Sequence, residues 1–174
     1  MNGVFPLLYS AIKKTVCWGL VAACMIVIFL FSAQTSGESV STSNSVIETL
    51  ATLLNPDFAQ LDAEEQNNIY ALYSNAVRKL AHFAIYALLG SLVSLALCNY
   101  PLRYRKIFLY SLGICAVYAI TDEVHQIFVP GRGPGVLDVL IDSAGACCGS
   151  LIIICIVYMI KKLRGRTRRE KTEQ

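Results

Sequence analysis

Four runs of apolar residues, each long enough to cross a bilayer as a helix, leave few folds open to this chain. A hydrocarbon core of about 30 Å needs about 20 helical residues. The runs extend from Val16 to Ala33, Lys79 to Leu97, Ile107 to Gln126 and Val139 to Ile160. In a chain of 174 residues with only 16% charged side chains, they predict an all-α membrane protein, a bundle of four transmembrane helices in one domain. Lys13 and Lys14 resemble the basic start of a signal peptide. The apolar run behind them exceeds a typical signal core, and no small-x-small cleavage site follows cleanly, so the first run reads as an uncleaved helix.

Charge sets the expected orientation. Twelve of the fifteen Lys and Arg residues lie on one side of an alternating four-span arrangement. They are Lys13 and Lys14, then Arg103, Arg105 and Lys106, and seven more from Lys161 to Lys171. The positive-inside rule makes that side the cytoplasm and places both termini there. The stretch 161–174 is then a basic cytoplasmic tail, a topology anchor against anionic lipid rather than a nucleic-acid patch.

The seven cysteines fall in or beside the apolar runs and form no CxxC, so they read as small buried apolar residues. The external segment from Gln34 to Val77 opens with a polar stretch rich in Ser and Thr. Ser45 with Glu48, and Asp62 with Glu65, have capping-box spacing and predict short amphipathic helices between helices one and two. The second of these can run on into helix two.

Ionisable residues inside a membrane cost roughly 2.5–3.5 kcal/mol each near the centre, so they face a partner or a polar cavity. Arg78, His82 and Tyr86 are spaced four apart on helix two, with Lys79 beside them. Helix three closes with Asp122, Glu123, His125 and Gln126, and helix four opens with Asp138 and Asp142. Counting residues from the basic ends places all of these in one thin slab near the outer face. The turn VPGRGPGVLD holds Arg132 above it, where a guanidinium suits a carboxylate or phosphate. Gly145 and Gly149 form a small-xxx-small surface for close helix packing.

These residues resemble the VanZ-like family of bacterial membrane proteins, named for an accessory protein of glycopeptide resistance. The resemblance rests on FSAQTSGESVSTSNS (31–45), RKLAHFAIYALLG (78–90), TDEVHQIFVPGR (121–132) and LDVLIDSAGACCG (137–149), with DEVHQ and PGR the most specific. It implies a four-helix membrane domain of the cell envelope and, for the namesake, lowered susceptibility to teicoplanin, which carries an acyl tail. Members of the family often carry an acid before the tyrosine of the HFxxY block. Here that position is Ile85, which removes the carboxylate from helix two.

Two functions follow as expectations. In the first, Arg78, Lys79, His82 and Arg132 grip an anionic head group at the outer leaflet, oriented by Asp122, Glu123, Asp138 and Asp142. The candidate partners are membrane lipids, a lipid-linked cell-wall precursor or a lipoglycopeptide. In the second, His82 or His125 serves as general acid or base with Glu123 or another carboxylate nearby, in acyl or phosphoryl transfer on a lipid. No convincing nucleophile accompanies it, so binding is preferred over catalysis. A metal variant would draw on His82, Asp122, Glu123, His125 and Asp138, but no helix carries HExxH, and no metal or cofactor is expected. Ion transport is disfavoured because Leu88–Leu97 and Ile107–Val117 are almost entirely apolar.

Overall fold

The structure, a computed structural model, describes residues 4–54, 56–133 and 135–170. Pro134 of the turn and the last four residues of the basic tail lie outside the described residues. Among the described residues five α-helices follow one another: α1 (Val4–Ser32), α2 (Ser36–Leu54), α3 (Ala63–Leu97), α4 (Tyr104–Gln126) and α5 (Val136–Glu170). A 3-10 turn at Pro56–Gln60 links α2 to α3, and no strand occurs among the described residues. α1, α3, α4 and α5 are each long and apolar enough to cross a membrane. The spans expected from hydropathy lie within these helices apart from Ala33, one residue past α1.

Two helices begin where local chemistry dictates. Asp62 caps α3, its carboxylate accepting from the Glu65 backbone N–H at 2.8 Å. The external helix expected there is therefore continuous with helix two, and α3 runs for 35 residues. α2 starts nine residues before the Ser45–Glu48 box. The operative box is Thr35–Glu38: the Thr35 N–H donates to Glu38 Oε2 at 2.7 Å, and the Glu38 N–H donates to Thr35 Oγ1 at 3.4 Å. Ser45 sits inside the helix instead, its hydroxyl donating to the Ser41 carbonyl. Thr42, Ser43, Thr49 and Thr52 also donate to carbonyls four residues back, so the polar run is helical rather than a loop.

The core is narrow. Cys17, Val21, Cys24 and Ile28 form one buried stripe of α1 against Tyr86, Leu89, Val93 and Ala96 of α3, Cys115 and Ala119 of α4, and Ala146 of α5. The other faces expose large apolar side chains such as Leu20, Leu30, Leu88, Val117 and Ile152. In water such a surface would be an aggregation hazard, whereas acyl chains solvate it. Cys148 and Cys155 lie on this exposed surface, which corrects the expectation that every cysteine is buried. They are far enough round α5 to leave the packed stripe.

Between apolar helices in lipid there is little hydrophobic drive, so close approach and dispersion hold the bundle together. α5 rides on α3 through glycine. A Cβ at Gly145 would meet the backbone of Phe83, and one at Gly149 the backbone of Ala87. From the other side, a Cβ at Gly90 would strike Ala146. Where α4 joins this seam, Ser111 and Ser150 lie 2.8 Å apart and both donate to the Gly90 carbonyl. Each such bond stabilises by about 0.6 kcal/mol in a membrane setting.

The basic clusters gather at one end of the bundle. Lys14 stacks over the Tyr100 ring at 4.8 Å, and Lys161 over Tyr104 at 5.5 Å. The Trp18 indole N–H donates to Tyr100 Oη at 3.1 Å and fixes the α3–α4 turn against α1.

Candidate functional site

At the opposite end, three helices each contribute one ionisable side chain to a single point. His82 of α3, Asp122 of α4 and Asp142 of α5 offer ligating atoms that all lie within 4.8 Å of one another. His82 Nδ1 and Asp142 Oδ1 are 3.5 Å apart, without the alignment of a hydrogen bond. Asp142 is 0% exposed and Asp122 3%. Both oxygens of Asp142, Oδ1 of Asp122 and Nδ1 of His82 are buried without a hydrogen-bond partner. Below them Tyr86 is fully buried, its hydroxyl also unpartnered.

Neighbouring groups hold this cluster in place. The Gln126 amide donates to Ser32 Oγ at 2.9 Å and to Asp122 Oδ2 at 3.4 Å, linking α4 to the end of α1. Tyr118, one turn before Asp122, donates to the Met25 carbonyl at 2.6 Å. Tyr118, Asp122 and Gln126 thus use their shared face as the four-residue spacing predicts. Glu123 points elsewhere: its Oε2 accepts from the Gly135 N–H at 2.7 Å and ties down the α4–α5 connection.

Above the cluster is a polar cavity of about 260 Å³. Arg78, Lys79 and His82 of α3 line one wall, Gln126 and Asp138 the other, and Arg132 with Gly131 and Gly133 the roof. Gly131 has φ +76°, which only glycine adopts freely, and a side chain there would crowd Ser36. The Ser36 N–H donates to the Pro130 carbonyl at 3.5 Å, so the turn rests on the start of α2. Arg132 reaches down to donate to the Ser32 carbonyl at 3.4 Å. Burial and the nearby Arg78 lower the Arg132 pKa, while Asp122, Glu123 and Asp138 oppose that shift. No ion pair joins Arg78, Lys79 or Arg132 to Asp122, Glu123, Asp138 or Asp142 among the described residues. Asp122, Glu123 and Asp138 act on Arg132 through space rather than as ion pairs. Three guanidinium or ammonium groups face the cavity with donors to spare.

A second, apolar groove of about 150 Å³ begins at the same place. Ile28 and Phe31 of α1, Val46 of α2, and Val77, Ala81 and Ile85 of α3 line it. Arg78 and His82 border both cavities. Ile85, which stands where a family acid was expected, thus contributes apolar wall.

The structure brings together most of the residues marked by sequence. Arg78, Lys79, His82, Gln126, Arg132 and Asp138 line the polar cavity, and Asp122 and Asp142 lie beneath it. Tyr86, one turn further along α3 than His82, is fully buried and does not line the cavity. His125 is not among the cavity residues; its ring stacks on Phe29 of α1 at 4.6 Å. Ser32 and Ser36 escaped notice. The signal that would have found them is the QTSGE box, which places a helix start beside the PGR turn.

Residues 17–158 match the VanZ/LLP1 family, most of the chain. No curated protein and no solved structure matches it. The match extends from the first buried residue of α1 to the aromatic pair Tyr104–Tyr158 at the basic end and so takes in every part of the site. The chain is a membrane protein of the VanZ/LLP1 family.

Proposed function

We propose that the protein binds an amphiphile with an anionic head group at the outer leaflet. The observation that carries this reading is the shared border of the two cavities at Arg78 and His82. One molecule can place its charge against Arg78, Lys79 and Arg132 and its chain along Phe31, Val46 and Ala81. Guanidinium groups give charge-assisted, bidentate bonds to phosphate or carboxylate. The site's end of the bundle is opposite the basic clusters, which the positive-inside rule assigns to the cytoplasm.

The ligand classes that fit are a phospholipid, a lipid-linked envelope precursor and an acylated glycopeptide. The last would connect the site to teicoplanin susceptibility, the property for which the family is named. Protein purified from membranes should carry bound lipid phosphate, and Arg132→Ala should lose most of it. Equal phosphate in both samples would rule the reading out.

A second reading is transfer chemistry on a lipid, with His82 as general base. The observation behind it is the position of Asp142, which could orient the imidazole. Lipid turnover lost in His82→Ala but kept in Lys79→Ala would support it, and turnover unchanged in His82→Ala would end it.

A further inference from the structure

We propose that His82, Asp122 and Asp142 form a binding site for a divalent transition-metal ion of the zinc or manganese class. Each ligand comes from a different helix, so no linear motif announces the site. This departs from the expectation that no metal is held, and it exchanges Glu123, His125 and Asp138 for Asp142.

Geometry supplies the first argument. Two ligands on a tetrahedral ion with bonds of 2.0–2.1 Å lie about 3.3 Å apart. His82 Nδ1 and Asp142 Oδ1 are already 3.5 Å apart, and the third ligand atom lies within 4.8 Å of both. Binding an ion requires the Asp122 carboxylate to close the remaining distance, from at most 4.8 Å toward about 3.3 Å.

Unmet bonding supplies the second. Asp142 is wholly buried with both oxygens unpartnered, and Asp122 is 3% exposed with Oδ1 unpartnered. Buried carboxylates normally find donors or cations. A proton on His82 Nδ1 would serve one oxygen at 3.5 Å and leave the others bare. It would also leave the cluster with a net negative charge. A dication with two carboxylates and a neutral imidazole sums to zero and ligates several of these atoms at once.

The surroundings fit as well. Gln126 donates to Oδ2 of Asp122, which leaves Oδ1 without a partner, and is itself held by Ser32. The one-nitrogen, two-oxygen set suits zinc or manganese; calcium requires six or more oxygens. Three protein ligands leave a coordination position open, and His82 and Gln126 also border the polar cavity. The site therefore presents its vacant position to whatever occupies that cavity. The inference does not depend on the amphiphile reading.

The test is Mn²⁺ binding to the full chain in detergent, untagged and washed with chelator, read by electron paramagnetic resonance. Manganese avoids thiolates, so the seven cysteines do not interfere. One equivalent should lose its six-line aqueous signal in the wild type, and Zn²⁺ should restore that signal by displacement. Asp142→Asn and His82→Gln should each weaken binding more than about tenfold. Glu64→Gln, in the first turn of α3 and outside both cavities, should bind as the wild type does, which shows that the loss is specific to the cluster. Circular dichroism and a single size-exclusion peak establish that each variant is folded. A wild type that leaves the aqueous signal intact overturns the proposal. So does equal binding by folded Asp142→Asn and His82→Gln.

Discussion

His82 and Asp142 meet at 3.5 Å because α5 lies against the backbone of α3 one turn away. Gly145, three residues after Asp142, faces the carbonyl of Phe83, the residue after His82. A residue with any side chain at 145 would hold the two helices apart and move the carboxylate away from the imidazole. The packing motif and the site are thus one feature of the sequence. Glycine spacing on α5 sets the depth and distance at which its acid reaches α3.

Gly145→Val should therefore damage both stability and site. Overpacking of this kind costs about 1–3 kcal/mol. Thermal unfolding in detergent should show the loss, and lipid retention should fall with it. The same substitution at Gly113, where a Cβ meets nothing within 4 Å, should be near neutral.

Glu38 gives a pH dependence outside the membrane spans. The backbone N–H and hydroxyl of Thr35 donate to its carboxylate and lower its pKa from the ordinary value. Because the folded value is the lower one, the capping contribution is complete above the unfolded value. It is lost as pH falls through the folded value. The Thr35 amide chemical shift in micelles should titrate with a midpoint below that of an unperturbed glutamate. Glu38→Gln should leave that amide without the transition.

Orientation can be read directly from accessibility. In a cysteine-free background, Ser45→Cys on α2 should react with a membrane-impermeant maleimide in intact cells. Tyr100→Cys in the α3–α4 turn should react only after the membrane is opened. The reverse pattern would place the site at the cytoplasmic face and remove the outer leaflet from the account.

Much of this site was legible from spacing. Arg78, His82 and Tyr86 recur every four residues, as do Tyr118, Asp122 and Gln126, and all six are buried or half-buried in the structure. Counting from the basic ends placed His82, Asp122 and Asp142 within about a turn of one another in depth. Which of them touch depends on the rotation of three helices about their own axes, and local spacing does not encode that rotation. His125 illustrates the limit: two residues' rotation past Glu123 carries it to α1 and Phe29. The start of α2 was less legible, because the Ser45–Glu48 spacing falls inside a helix that begins at the Thr35–Glu38 box. Serine and threonine favour loops in general, yet a capping box at Thr35 and back-bonding hydroxyls make that run a helix.

The central claim is that a single molecule occupies both cavities, and native mass spectrometry with two variants tests it most directly. Arg132→Ala removes a head-group donor from the polar cavity, while Ala81→Trp fills the apolar groove and leaves every charged group in place. Wild-type protein released from membranes should carry one phosphate-bearing or carboxylate-bearing lipid, and each variant should lose that same species. A bare wild type, or the same lipid retained by both variants, would contradict the account.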